Sequence, residues 1–308
     1  IAASIVKIVS CIKKPGNDHG DVSTQVHAYS SGKAQMAYYH MLQRLNEVKL
    51  LKNKNEFISH MSSWIDSKDY NNLPVGMIIG MEGADSITDP DQLYEWYDEG
   101  LRLISLSHYG VSNYSHGTGT GTDGGLVGKG KELLMEMDKL NMILDVSHTS
   151  DESVKQELEI FEGPIIATHQ NCRSVAPGER QFPDHQLKSV IDRGGVIGHS
   201  MDTFMMWKTE IDWSDIPLPR PFPKDEVTLE DFVDHIDHVC QLSGNSLHSA
   251  IGGDTDGQGG MVGAPKEVDT VLDYQKIITL LQKRGYKHSD IENIFYKNWQ
   301  RFFEANLP

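Results

Sequence analysis

The chain has 308 residues, 38% of them hydrophobic and 23% charged, which suits a soluble globular protein with a large core. Its 44 acidic against 28 basic side chains leave a formal charge of −16, which argues against the basic face that nucleic acid or an anionic membrane would need. No run approaches the length of a bilayer span, and three widely spaced cysteines (Cys11, Cys172, Cys240) imply neither a disulfide framework nor a cysteine-based zinc site.

Residues 1–9 read as a buried strand, not a signal peptide, since Lys7 interrupts the apolar run and no basic leader accompanies it. The chain starts at Ile1, already inside this strand, so further residues are expected upstream. A Gly/Pro/Asp loop follows over 13–23. Helical spacing then covers 25–52, with Met36, Tyr39, Met41, Leu42 and Leu45 on one stripe expected to face the core. A second helix is predicted over 55–67. Gly76 to Glu82 is an apolar strand that ends on a carboxylate, followed by a helix over 91–100 and a strand over 101–106 that leads into Ser107-His108.

The stretch 109–126, rich in Gly, Thr, Ser and Asn, is too long for a tight turn and is read as functional. A helix over 129–140 leads to two short apolar runs, Leu144-Asp145-Val146-Ser147-His148 and Ile165-Ile166-Ala167-Thr168-His169, each ending in histidine, with helical spacing over 150–161 between them. That pair reads as one βαβ unit of a parallel sheet. Beyond it lie a helix over 185–193, a strand over 195–199 and a Trp/Pro-rich excursion over 205–224 taken as a lid or surface insertion. A helix over 228–242, a strand over 250–253 ending at Asp254, and closing helices over 272–284 and 290–304 complete the chain.

Seven strands alternating with helices predict an α/β fold with a parallel sheet, read as a single domain over 1–308. A closed (β/α)8 barrel of the TIM type needs eight, and the remaining strand is expected upstream of Ile1. Barrels of that type place their chemistry at the carboxyl ends of the strands. Glu82, His148 and His169 each end a strand and could meet around one or two divalent ions. Asp254, in a Gly-Gly-Asp-Thr-Asp-Gly run, is placed to move a proton between water and a leaving group. His108 could donate to a developing oxyanion, and Arg180 or Arg173 could clamp a substrate carboxylate.

Other matches carry less. Residues 119–124 satisfy the spacing GxGxxG but do not directly follow a strand, and Gly128-Lys129-Gly130 lacks Walker spacing. Neither HExxH nor GxSxG occurs. His19-Gly20-Asp21 has the form of a metal-ligand pair but sits in a polar loop.

Assembled in order, Met81-Glu82-Gly83-Ala84-Asp85-Ser86, Ser107-His108-Tyr109-Gly110, Gly124-Gly125-Leu126, Leu144 to His148, Thr168 to Arg173, Asp234 to His238 and Gly252 to Gly257 resemble the membrane (renal) dipeptidase family, peptidase family M19, in a bacterial branch. The resemblance spans essentially the whole chain. It implies a TIM-barrel metal hydrolase with two zinc ions, which cleaves small dipeptides by a metal-activated hydroxide and tolerates a D-residue at the C-terminal position.

By position, the resemblance makes Glu82 the carboxylate bridging the metals, and His148 and His169 ligands of the second zinc. It makes His108 the contact to substrate and tetrahedral intermediate, Arg180 rather than Arg173 the holder of the substrate carboxylate, and Asp254 the acid/base. Asp145 and the histidines of 234–238 recur in the family pattern and are given structural roles. The family's first-strand H-x-D pair has no counterpart and is expected upstream of Ile1, not at His19 and Asp21. A related amidohydrolase acting on another carboxylate-bearing amide or lactone, and a catalytically dead scaffold relative, are the competing readings. A homodimer is compatible with the family, and a bacterial cytoplasm is favoured over the periplasm.

Overall fold

The structure, a computed structural model, describes residues 2–4, 24–209, 226–255 and 263–308. His19 and Asp21 lie outside the described residues, as does the predicted loop over 13–23. Strands and helices alternate along the chain as the periodicity predicts. They fall into two compact units, residues 1–164 with 301–308, and residues 165–300.

The first unit is built on β3 (Val75–Glu82), whose last five residues are buried. A parallel strand covered on both faces needs such a continuous apolar run. β4 (Leu101–Ser105) pairs with it in parallel, and β5 (Ile143–Asp145) pairs with β4. Two short strands divide the length of β3. β1 (Ala2–Ser4) pairs with residues 78–80, and β2 (Val48–Leu50) with residues 75–77, both in parallel.

β2 corrects the sequence reading, which carried one helix through to residue 52. Helix α1 (Gln25–Arg44) stops because Asn46 takes a left-handed conformation at φ 62°, which asparagine tolerates better than most residues. Val48 and Leu50 then point inward with Lys49 less buried between them, an alternation that the preceding helical period concealed. The apolar stripe assigned to α1 is also corrected. Met36 is buried, but Met41 and Leu45 are 49% and 62% exposed. α2 (Lys54–Asp66) is capped by the Asn53 side chain, α3 (Leu93–Glu99) precedes β4, and α4 (Gly130–Lys139) precedes β5. α5 (Asp151–Ile160) starts with Ser150 accepting from the Ser153 amide and with Asp151 and Glu152 in its first turn, where the helix dipole favours them.

In the second unit Ala167, just after β6 (Ile165–Ile166), bridges in parallel to Ile197 of β7 (Ile197–Ser200), and β7 pairs in parallel with β8 (Ser249–Gly253). α6 (Asp184–Asp192), α8 (Leu229–Ser243), α9 (Lys276–Lys283) and α10 (His288–Glu292) belong to this unit, and α11 (Asn298–Asn306) follows. Phe232, Val233 and Ile236 of α8 pack in one core with Ile277 and Leu281 of α9. The excursion expected over 205–224 starts differently. Met205 and Met206, at the end of the short helix α7 (Thr203–Met206), are buried, so its first residues belong to the core, not a surface insertion. Residues 210–225 lie outside the described residues. Cys172 and Cys240 are buried free thiols. Among the described residues no helix is long and apolar enough to cross a membrane.

Candidate functional site

In the first unit the strand ends bring three of the expected residues together. Glu82 closes β3, and its Oε1 lies 3.3 Å from His148 Nε2 and 3.7 Å from His108 Nε2. The two imidazole rings are 4.2 Å apart between centroids. All three side chains are buried. His108 follows β4 and His148 follows β5, so adjacent parallel strands deliver them to the same end of the sheet.

The long loop after His108 holds the histidines in place. One amide, Thr118 N–H, donates to both the His108 carbonyl at 3.0 Å and the His148 carbonyl at 2.8 Å. Gly117, beside it, has to be glycine, since a Cβ there would sit 2.1 Å from the His108 carbonyl oxygen. The Thr118 hydroxyl donates to the His148 carbonyl at 3.2 Å and meets His148 Nδ1 at 3.3 Å. With its single proton committed to the carbonyl, the hydroxyl accepts from Nδ1–H, which leaves Nε2 as the lone-pair nitrogen facing Glu82. Two acceptors 3.3 Å apart in a buried place repel unless a cation or proton lies between them. A buried carboxylate and a neutral imidazole oriented through its other nitrogen are what a divalent metal requires, so these residues fit one.

His148 itself has φ 66°, and Asp254 has φ 61°, both left-handed. The other non-glycine residues with positive φ among those described are Asn46 and Asn141, each just after a helix, where asparagine is common. Histidine and aspartate at strand ends are held there by the surrounding structure.

The second unit places the remaining candidates. His169 follows β6, and its Nδ1 lies 2.9 Å from the Thr168 hydroxyl, which assigns Nε2 as the nitrogen that would ligate. Arg180 is 1% exposed. Its Nη1 donates to Gln170 Oε1 at 2.6 Å and its Nη2 to the His169 carbonyl at 2.9 Å. Its Nε is buried with no hydrogen-bond partner among the described residues. A buried guanidinium with an unsatisfied donor suits an anionic guest. Arg173, the alternative left open by composition, instead braces the loop, with Nε donating to the carbonyls of Gly178 and Gln181 at 3.1 and 2.8 Å. Asp254 follows β8, and its Oδ2 accepts from the Ser200 hydroxyl at 2.8 Å.

Asp145 accepts from the Ser147 amide, Asp234 pairs with Arg284, His238 with Asp184, and His235 Nδ1 accepts from the Cys172 amide at 3.1 Å. Sequence reasoning missed Thr118, Thr168 and Ser200, which orient candidates. It also missed Tyr109, whose ring stands edge-on to His108 and His148 at 4.8 and 5.0 Å. Ser200 carries a weak signal, since it ends an apolar strand just as Glu82 does. Thr118, inside a low-complexity loop, carries none.

Comparison with known proteins gives the family. The family model for membrane dipeptidase, peptidase family M19, matches residues 16–306. Dipeptidase verJ of Clonostachys rogersoniana is 30% identical over 234 residues, 75% of this chain and 55% of that protein. An uncharacterized dipeptidase of Schizosaccharomyces pombe is 28% identical over 234 residues, 75% of this chain and 53% of its own length. The chain thus spans about half the length of these curated relatives. Among solved structures, a metallo peptidase from Rhodobacter sphaeroides liganded with a phosphinate mimic of the dipeptide L-Ala-D-Ala superposes with a TM-score of 0.77 at 22% identity, covering 92% of this chain and 76% of that one. That likeness bears out the expected fold class. With a family model that runs over nearly its whole length, the chain belongs to peptidase family M19, the membrane dipeptidase family.

Proposed function

We propose that this protein is a zinc-dependent dipeptidase that hydrolyses small dipeptides and accepts a D-residue at the C-terminal position. The observation that carries the reading is the buried Glu82–His148 pair at 3.3 Å, with the imidazole oriented through Thr118, in a member of this family. Glu82 and His148 would hold metal, and the family resemblance makes His169 a further ligand. By the family resemblance the centre would hold two ions. Bound there, the metals would supply Lewis acidity and lower the pKa of a water molecule.

The chain's own residues account for the rest. Arg180 binds the substrate's carboxylate through a guanidinium already fixed by Gln170 and the His169 carbonyl. His108 donates to the oxygen of the scissile carbonyl as negative charge develops on it. Asp254 takes a proton from the attacking water as the C–O bond forms, and returns it to the amide nitrogen as the C–N bond breaks. The products are two free amino acids, and the aspartate ends as it began. The phosphinate mimic of L-Ala-D-Ala bound by the Rhodobacter protein supports a D-residue at the C-terminal position.

The test is hydrolysis of L-Ala-D-Ala by the purified protein, with release of D-Ala and metal content measured before and after chelation. Turnover that disappears with the chelated zinc and returns on its readdition is the expected result. Zinc-loaded protein that leaves L-Ala-D-Ala and L-Ala-L-Ala intact overturns the reading and favours the scaffold alternative.

A further inference from the structure

Asp254 leaves β8 in a left-handed conformation, and its backbone alone does not decide which carboxylate oxygen faces the reaction. The hydrogen bonds around Ser200 do. Its hydroxyl accepts from the Asp202 amide at 3.1 Å and lies 2.8 Å from Asp254 Oδ2. A hydroxyl has one proton, and with a lone pair engaged by Asp202 that proton points at the carboxylate. Among the described residues this is the hydrogen bond that the Asp254 carboxylate receives, and it falls on Oδ2.

Ser200 is in turn rigidly placed. It is fully buried, and the Asn171 side chain, also fully buried, grips its backbone at both ends. The Ser200 amide donates to Asn171 Oδ1 at 3.0 Å, and Asn171 Nδ2 donates to the Ser200 carbonyl at 3.1 Å. The pairing register of β7 against β8 shifts between His199 and Ser200, which matches Ser200 to Gly253, next to Asp254. Such an irregularity re-aims a side chain at the end of a strand.

We infer that Ser200 is a positioning residue for Asp254: it holds Oδ2 as a permanent acceptor and so reserves Oδ1 as the oxygen that takes up and returns the proton. The inference rests on the proposed role of Asp254 in dipeptide hydrolysis. It follows that Ser200 acts on turnover and not on substrate binding, which Arg180 governs.

The experiment compares Ser200→Ala, Ser200→Thr and Ser200→Val with Asp254→Asn in zinc-loaded protein, measuring kcat and KM for L-Ala-D-Ala, zinc content and Tm. Thr and Val have the same shape and differ in the hydroxyl, so they separate the hydrogen bond from packing. Ser200→Ala and Ser200→Val are expected to lose about tenfold or more in kcat, the scale of a hydrogen bond to a charged group, with KM within about twofold and zinc content unchanged. Ser200→Thr is expected to keep kcat within about threefold of the wild type. Equal kcat for Thr and Val, or a wild-type kcat for Ala while Asp254→Asn is inactive, overturns the inference. An active Asp254→Asn instead removes the role of Asp254 on which it rests, a result distinct from either.

Discussion

Two pairs of buried histidines, one in each unit, keep very different company. His108 and His148 lie 4.2 Å apart between ring centroids and face a buried carboxylate, Glu82. His199 and His235 lie 6.3 Å apart, fully buried, with Phe232 edge-on to His199 and the Ser249 hydroxyl 3.0 Å from its Nε2. Burial pushes His199 well below the usual histidine range and His235 down to about 3, and the neighbouring His235 adds to the cost of charging His199. A strand-terminal histidine is therefore no site by itself. The carboxylate opposite it, and a partner that assigns its tautomer, make the difference.

The largest expected effect tests the first pair. Glu82→Gln keeps the shape but removes the charge between the imidazoles. It should cost on the order of 10³-fold in hydrolysis and most of the bound metal, read by elemental analysis and D-Ala release. A variant that keeps its zinc and its rate would erase the distinction between the pairs. Arg180→Lys comes next: loss of the planar fork should raise KM for L-Ala-D-Ala roughly ten- to hundredfold, with a much smaller change in kcat. Unchanged KM would move the carboxylate contact elsewhere.

The second pair should respond in stability alone. His235→Leu leaves the buried Cys172 amide without its acceptor and should destabilise by about 1–3 kcal/mol in denaturant melts, with zinc content intact. Loss of metal in this variant would break the comparison. The pH response has a definite sign. His235 is neutral in the folded protein down to about pH 3, but in the unfolded chain it takes up a proton near its ordinary value of 6.5. The unfolded state thus binds more protons in that window, and stability falls as pH drops below about 6.5, by up to about 1.4 kcal/mol per unit for this residue. His235→Leu should flatten that limb. The smallest effect belongs to the surface: Lys139→Ala, which removes the exposed Lys139–Glu136 pair at 2.7 Å, should leave the denaturant melt almost unmoved, and less affected still in high salt.

Much of this arrangement is legible in the sequence. Glu82, His148 and His169 each end a short apolar run, and a parallel strand covered on both faces leaves that signature. By the same sign, however, His199 closing its own apolar run would count as a candidate. What separates it from His148 is the company each keeps in three dimensions. Thr118 reaches His148 across 30 residues, and Ser200 reaches Asp254 across 54, so no local window contains either pair. β2 went unseen for a different reason. Three residues of alternating burial directly after twenty of helix are too short to register against a helical period. The buried start of the 205–224 segment was masked by its Trp/Pro composition, although Met205 and Met206 are typical core residues.

The left-handed backbones of His148 and Asp254 bear on how such a protein drifts. At both positions glycine would accept the conformation without strain, offsetting much of what is lost in the flexible unfolded chain. At the half-buried Asp254 folding therefore does little to defend the side chain, whereas the buried His148 is also held by its packing against His108 and Tyr109. A lineage, or a laboratory library, selected only for abundance or heat resistance would be free to replace Asp254 by glycine, and the resulting proteins are expected to melt and accumulate normally without that carboxylate. In this molecule a healthy thermal melt is no certificate of a working site, and surveys of variants need metal content or turnover as a second axis.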